Sequence, residues 1–115
     1  MKYKNLFEPI KIGNKVIKNR FVMPAMDSGT TTEAHIFSEQ SMAYFAARAK
    51  GGFGLMISEY MSIAKEGIGN PKEVGLWDDS NLENLKQLCN IIHESNGTVF
   101  AQLHHSGMMC IEKNT

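Results

Sequence analysis

Polar and apolar residues alternate over two short runs near the start of the chain, and a short apolar segment follows them. The two runs are Ile10–Ile12 and Lys15–Ile17, on either side of Gly13-Asn14. Gly adopts positive φ freely and Asn tolerates it, so this pair predicts a tight hairpin turn. The apolar segment Arg20–Met23 is ended by Pro24 and predicts a short strand that is buried on both faces.

Two helices are predicted from apolar residues that recur at helical spacing. The first covers Ser38–Ala49, with Ser38 accepting from the free amides of the first turn and Gly51-Gly52 ending the helix. The second is opened by a capping box of Ser80 and Glu83, and Gly97 ends it. The apolar stripes of the two helices are Met42, Phe45, Ala46 and Ala49 in the first, and Leu82, Leu85, Leu88, Cys89, Ile91 and Ile92 in the second.

Two more apolar segments, Phe53–Glu59 and Thr98–Leu103, indicate buried strands. The order of elements is therefore a hairpin followed by strand, helix, strand, helix and strand. The strands start near residues 21, 55 and 98, and this spacing suits parallel strands joined by right-handed helical crossovers. The pattern predicts an α/β fold with three parallel strands.

Two architectures share this order of elements: half of an open nucleotide-binding sheet, and the start of an eight-stranded barrel. The open sheet needs a glycine-rich turn between its first strand and the following helix. Here Met23-Pro24-Ala25-Met26 stands at that place, and the glycines Gly51, Gly52 and Gly54 precede a strand instead. They indicate a tight helix-to-strand turn rather than a phosphate-binding loop.

Composition and charge narrow the class of protein. A chain of 115 residues suits one domain, and its 12 basic and 12 acidic side chains argue against nucleic acid or an anionic membrane as the partner. No apolar run approaches the ~18 to 20 residues of a membrane span, and no apolar run follows the basic N-terminus as in a secretory signal. The 2 cysteines are too few for a disulfide scaffold, so we expect a reducing, cytoplasmic location.

Polar side chains gather where the predicted strands end, namely Asp27, Glu59, Tyr60, Gln102 and His104. Ligands of parallel α/β sheets bind at the carboxyl ends of the strands, so this edge is the candidate site. Gln102 lies in an otherwise apolar strand, and a buried amide without partners costs about 1 to 3 kcal/mol. It is therefore expected either to meet a polar ligand or to bond to backbone.

Three other features allow more than one interpretation. Glu59 either orients a substrate or pairs with a basic group such as Arg20, and Trp77 is more typical of a packing anchor than of a ligand contact. His104-His105 with Cys110 does not match a recognised zinc spacing, so structural or exposed histidines are favoured and no metal site is predicted.

Four motifs in order resemble the old yellow enzyme family, in particular its branch of NADH:flavin oxidoreductases, 2,4-dienoyl-CoA reductases and 2-enoate reductases. The resemblance covers nearly the whole chain. The motifs are Leu6 to Gly13 with Lys18 to Met26, then Tyr44 to Leu55, Gly75 to Asp79, and Ala101 to Gly107.

The family fold is a TIM barrel of about 250 residues that binds FMN at the carboxyl ends of its strands. The resemblance implies that residues 1–115 form a partial FMN-binding domain with the hairpin and the first three strands. It implies a parent enzyme in which NAD(P)H reduces FMN, which passes hydride to an activated alkene such as an enoate or an enoyl thioester. Pro24, Ala25 and Met26 would wrap the flavin, Tyr60 would approach its ring, and Gln102 would bond its pyrimidine edge. The catalytic residues and the phosphate-binding glycines of the family lie on later strands.

The chain also departs from the family pattern. Tyr60 stands at a position where Gly or Ala is frequent in the family. An aromatic residue there resembles the trimethylamine dehydrogenase side of the family, where a Tyr lines the substrate pocket. That side attaches its flavin through a Cys after the first strand, but residues 27–37 contain no Cys, so any FMN would be held non-covalently. Asp27 stands where some members carry a redox-active Cys, and Met108 where Arg is usual. The resemblance also allows an iron–sulfur cluster and FAD in a C-terminal region.

The alternative is a non-catalytic, truncated barrel that self-associates or needs a partner to complete its sheet, since exposed strand edges recruit other chains. A reading frame that continues beyond Thr115 into strands four to eight would favour the enzyme. A stop codon at that point would favour the truncated form.

Overall fold

The structure is a computed structural model that describes residues 1–111. It has the predicted order of a hairpin followed by parallel strands that alternate with helices. The helices are α1 (Lys4–Phe7), α2 (Glu39–Lys50) and α3 (Leu82–His93). The strands are β1 (Ile10–Ile12), β2 (Lys15–Ile17), β3 (Val22–Met23), β4 (Leu55–Ser62), β5 (Val74–Gly75) and β6 (Thr98–His104).

The hairpin forms where the sequence predicts it. β1 and β2 pair antiparallel with Ile10 opposite Ile17, and Gly13 turns the chain with a φ of +58°. The four-residue α1 and the two-residue β5 were not predicted, because elements this short leave no periodic pattern.

β4 is the centre of a parallel sheet. β6 pairs with it along its whole length, from Leu55 opposite Thr98 to Ser62 opposite His104. Since β6 occupies one edge of β4, β3 and β5 share the other edge. β3 pairs with the first two residues of β4, and β5 pairs with the last two. The predicted α/β fold with three parallel strands is confirmed, and β5 fills the place beside β4 that β3 leaves at the carboxyl end.

The start and end of α2 follow the prediction. The Ser38 hydroxyl accepts a hydrogen bond from the Ser41 backbone N–H at 3.0 Å, and the Ser41 hydroxyl accepts from Ser38 N–H at 3.2 Å. Gly52 has a φ of +109°, which lets the chain turn from α2 into β4. A side chain at Gly54 would lie only 2.5 Å from Asn19 Oδ1, so the closeness of these segments requires glycine there.

The core lies between the sheet and the two long helices, and each large apolar side chain buried there stabilises the fold by about 1.5 to 3 kcal/mol. At its centre Phe45 is fully buried and packs edge-on against Phe37 at 5.7 Å between ring centroids. The core residues are Met23, Phe37, Met42, Phe45, Ala49, Met56, Met61, Val74, Leu88 and Ile92. Within residues 1–111, no helix is both long enough and apolar enough to cross a membrane.

The predicted capping box before α3 is wrong. Ser80 lies inside a single helical turn, Asp79–Asn81, where its N–H donates to the Asp78 side chain at 2.9 Å. α3 starts after Asn81, whose side chain donates instead to the backbone oxygens of His35 and Gly75, at 2.7 Å each. The helix also ends at His93, before Gly97, and Leu82 is exposed, so the buried stripe of α3 begins later than predicted.

Two predictions about the strands also need correction. The first strand is not buried on both faces, because Val22 is 45% exposed while Met23 is buried. Only the face toward the helices is covered within the described residues. β4 continues to Ser62, so Glu59 and Tyr60 lie inside the strand and not after it. The ladders to β5 and β6 extend β4 there, and this pairing is not visible in the local sequence.

Candidate functional site

A bulge in β4 decides which side chains face away from the helices. Ile57 pairs with Phe100 and Tyr60 pairs with Gln102, so two residues of β4, Ser58 and Glu59, stand opposite one residue of β6. Because side chains alternate along a strand, the extra residue moves Tyr60 to the same face as Ile57. Without the bulge Tyr60 would point toward the helices.

We call the sheet face that carries Ile57, Tyr60, Ser62, Phe100, Gln102 and His104 the open face. The opposite face packs on α3. There Met61, Val99 and Ala101 line an apolar cavity of about 220 Å³ together with the partly buried Cys89, which agrees with a packing role for that cysteine. The open face therefore presents the polar side chains at the carboxyl end of the sheet, where ligands of such sheets bind.

Tyr60 is tied to the segment that follows β3. Its hydroxyl donates to Asp27 Oδ2 at 3.0 Å, and the Asn70 side chain donates to the same oxygen at 3.1 Å. Asp27 Oδ1 accepts from Gly29 N–H at 2.9 Å. Burial, and then the hydrogen bond to the Asp27 carboxylate, raise the pKa of the Tyr60 phenol above its usual range. Tyr60 is therefore a neutral donor at physiological pH.

Glu59 precedes Tyr60 in β4 and does not pair with Arg20, contrary to one of its two interpretations. Its side chain is buried, and Oε2 accepts from Ser28 N–H at 2.9 Å. Burial raises the pKa of Glu59, while the hydrogen bond from Ser28 acts in the opposite direction. The carboxyl group thus fastens the loop after β3 to the bulge of β4.

His104 pairs with a carboxylate that sequence reasoning missed. Its Nδ1 lies 2.6 Å from Glu73 Oε1, and the Glu73 side chain is fully buried. Glu73 Oε2 accepts from Gly69 N–H at 2.8 Å. The His104 ring packs edge-on against Tyr60 at 4.8 Å between centroids. Glu73 and Asn70 belong to a glycine-rich loop, and nothing in the local pattern marks them, because their partners lie 31 and 43 residues away.

Gln102 is exposed, which corrects the expectation of a buried amide. Its backbone N–H donates to the Ser58 hydroxyl at 3.2 Å. No group within residues 1–111 hydrogen-bonds its side-chain amide. The amide is exposed because the described chain places nothing over this part of the open face.

The segment Pro24-Ala25-Met26 runs from the end of β3 to Asp27 without regular structure. Met26 is 46% exposed. The Tyr60–Asp27 hydrogen bond brings this segment to the same edge as Tyr60 and Gln102. All five residues singled out for cofactor binding therefore lie at the carboxyl edge of one sheet.

The remaining candidates have structural partners. Trp77 packs edge-on against His35 at 5.3 Å and covers Gly75, which favours its interpretation as a packing anchor. His105 Nδ1 accepts from Gly107 N–H at 3.0 Å. In the part of the chain that the structure describes, no three His, Cys, Asp or Glu side chains are grouped to hold a metal ion.

Comparison with known proteins agrees with the fold. Residues 5–115 match the family model of the NADH:flavin oxidoreductase / NADH oxidase family. The chain is 35% identical over 106 residues to the NADH oxidase of Thermoanaerobacter brockii, covering 91% of this chain and 16% of that protein. It is 32% identical over 109 residues to the NADPH dehydrogenase of Bacillus cytotoxicus, covering 89% of this chain and 30% of that protein.

Solved structures show the same similarity. A complex of 2-naphthoyl-CoA reductase with 2-naphthoyl-CoA superposes with a TM-score of 0.89 at 32% identity, covering 94% of this chain and 16% of that one. The old yellow enzyme homologue from Zymomonas mobilis superposes with a TM-score of 0.78 at 37% identity, covering 88% and 28%. The chain spans 16% to 30% of the length of the curated relatives described above. It belongs to the NADH:flavin oxidoreductase / NADH oxidase family, the family of old yellow enzyme, and corresponds to the N-terminal part of its TIM barrels.

Proposed function

We propose that this chain is the first part of the FMN-binding barrel of an oxidoreductase that transfers hydride from NAD(P)H, through FMN, to an activated alkene. The observation that carries the proposal is the pairing of Tyr60 with Gln102 on the open face, in a chain that belongs to this family. An enoate or an enoyl thioester is the class of alkene that we propose as the substrate.

The residues of the open face fit a flavin. The pyrimidine edge of an isoalloxazine ring presents carbonyl oxygens and a ring N–H in one plane. The Gln102 amide offers two donors and one acceptor, is exposed, and has no protein partner within residues 1–111. Exposed Met26 and the neighbouring Pro24 and Ala25 supply apolar surface and backbone groups beside it.

In this proposal the FMN supplies the hydride chemistry, and the residues of the chain orient the flavin and set the polarity of its surroundings. Gln102 holds the pyrimidine edge and favours the reduced ring by hydrogen bonding. The Tyr60 ring forms a wall of the pocket and limits the size of the substrate. Asp27 accepts from the Tyr60 hydroxyl and so restricts rotation of the phenol. With no Cys in residues 27–37, the flavin is held non-covalently.

The relatives support the choice of donor and acceptor. Two of them are named an NADH oxidase and an NADPH dehydrogenase, and one solved structure holds 2-naphthoyl-CoA, a thioester. A cytoplasmic location is part of the proposal. An iron–sulfur cluster and FAD in a C-terminal region, which the family resemblance allows, also belong to the proposal.

The test is the visible spectrum of the purified whole protein, followed by identification of the flavin that denaturation releases. We expect FMN, and NAD(P)H oxidation that a panel of enoates and enoyl thioesters stimulates. A colourless protein that neither retains added FMN nor oxidises NAD(P)H would contradict the proposal. It would favour the alternative of a non-catalytic partial barrel that self-associates.

A further inference from the structure

Glu73 connects three segments at the carboxyl edge of the sheet. Its carboxylate contacts His104 at the end of β6 and the backbone N–H of Gly69 in its own loop. Its backbone oxygen lies 2.8 Å from His35 Nδ1, in the segment that precedes α2. Its side chain is fully buried, although charged side chains are rarely buried without a specific partner.

The geometry requires a group with two acceptors at position 73. The backbone N–H of Gly69 can only donate, and its acceptor is Glu73 Oε2. Glu73 Oε1 lies 2.6 Å from His104 Nδ1, and because an ionised carboxylate can only accept, we assign the imidazole as the donor through Nδ1–H. This bond fixes the imidazole with its proton on Nδ1 and holds the ring plane. An amide at position 73 has one acceptor and cannot serve both donors.

We propose that Glu73 is a positioning residue that acts through the His104 ring to fix the Tyr60 ring on the open face. The His104 and Tyr60 rings meet edge-on with centroids 4.8 Å apart, which is a favourable geometry for an aromatic pair. Tyr60 is held from the other side by Asp27 at 3.0 Å. The Tyr60 ring is therefore held on one side by Asp27 and on the other by the His104 ring, which Glu73 holds in turn.

The consequence for function rests on the proposed role of Tyr60 as a wall of the substrate pocket. A Tyr60 side chain that is held in one rotamer excludes substrates that a mobile ring would admit. Glu73 then sets substrate selectivity although it contacts neither the substrate nor the flavin.

The experiment compares Glu73→Gln, His104→Gln and the control Glu66→Gln in the whole protein. Glu66 lies in the same loop but is exposed. His104→Gln keeps a side chain that can donate to Glu73 but removes the ring that supports Tyr60. The first readout does not use activity: NMR signals of the His104 ring nitrogens and of the Tyr60 ring protons.

We expect the wild type and Glu66→Gln to show a single Nδ1-protonated His104 and one set of Tyr60 signals. Glu73→Gln should mix the His104 tautomers and shift or broaden the Tyr60 signals. Unchanged Tyr60 signals in both Glu73→Gln and His104→Gln would overturn the proposal.

The second readout is the ratio of kcat/KM for a bulky and a small enoate. Glu73→Gln and His104→Gln should each change this ratio by about fivefold to tenfold, as expected for residues coupled in one network. In a Tyr60→Ala background the same substitutions should have no further effect. Additive effects in that background would show that Glu73 only stabilises the loop and would contradict the proposal.

If the whole protein lacks flavin activity, the proposed function fails, and the NMR comparison alone still decides the coupling of Glu73 to Tyr60.

Discussion

The Tyr60 hydroxyl donates to Asp27 Oδ2 over 3.0 Å and so joins β4 to the loop that follows β3. The two residues are 33 positions apart in sequence, and the bulge at Ser58-Glu59 brings them together by moving Tyr60 to the open face. Asp27 thus has a defined partner in β4.

Replacing Asp27 should change the titration of Tyr60. Asp27→Asn keeps an oxygen that can accept the hydrogen bond from the phenol. It removes the negative charge that disfavours the phenolate. The pKa of Tyr60, raised in the wild type by burial and by Asp27, should fall toward its ordinary value. An absorbance titration of the phenols, with Asp79→Asn at an exposed position as the control, measures this shift. A Tyr60 titration identical to that of the wild type would show that Asp27 does not raise the pKa and would contradict the assignment.

Shortening Tyr60 should alter substrate choice more than flavin binding. Tyr60→Ala opens the pocket wall, so the kcat/KM ratio of bulky to small enoates should rise by about tenfold. Flavin retention should change much less. Tyr3→Ala, at an exposed position in the N-terminal segment, is the control. Equal relative kcat/KM values across the panel in Tyr60→Ala and wild type would place Tyr60 outside the pocket.

Much of the fold could be predicted from the sequence, because its signals are local. Gly13-Asn14 marks the hairpin, Ser38 and Gly51-Gly52 mark the ends of α2, and apolar runs mark β4 and β6. The start of α3 could not be predicted in the same way. The Ser80 and Glu83 pattern suits a capping box, but the Asn81 side chain donates to the oxygens of Gly75 and of His35, 46 residues away, and the helix starts after it.

The candidate site was predicted in outline and not in detail. Tyr60, Gln102 and Asp27 were found because polar residues at strand ends are a sequence signal. Their neighbours Glu73 and Asn70 were not, since only tertiary contacts bring their loop to this edge. The bulge in β4 likewise depends on the pairing with β6 and has no local sequence signal.

Glu59 gives a pH-dependent prediction for stability. Burial raises its pKa in the folded state, so the protonated form is favoured there relative to the unfolded chain. The stabilising contribution of Glu59 to the free energy of unfolding is fully present below the ordinary glutamate pKa of 4.5. It is lost as the pH rises through the higher pKa that Glu59 has in the folded state. Glu59→Gln should remove this decrease. Urea unfolding of the whole protein at a series of pH values measures it, with exposed Glu39→Gln as the control. Parallel pH profiles of Glu59→Gln and wild type would contradict the assignment.

Residues 1–115 expressed alone should associate, retain no FMN tightly and show no reductase activity. Leu103 is 65% exposed, Met108 97% and Met109 74%, and exposed apolar surface of this kind drives association. The phosphate site of such barrels lies after strands seven and eight, which this part of the barrel does not include. Light scattering and flavin absorbance test the prediction. A monomeric, yellow and active preparation would contradict it.

The central claim is that the open face holds the flavin through Gln102. Gln102→Leu removes the amide that bonds the pyrimidine edge while keeping a side chain of similar size. Loss of one hydrogen bond of ordinary strength should weaken FMN binding by about fivefold, and the flavin potential should shift downward. Gln87→Leu, on the exposed side of α3, is the matched control and should leave both quantities unchanged.

The most direct measurement is therefore the FMN dissociation constant and reduction potential of the whole protein with Gln102 and with Gln102→Leu. Weaker binding or a lower potential in Gln102→Leu, with neither change in Gln87→Leu, is the predicted result. Identical binding and potential in Gln102→Leu and wild type would contradict the placement of the flavin on the open face.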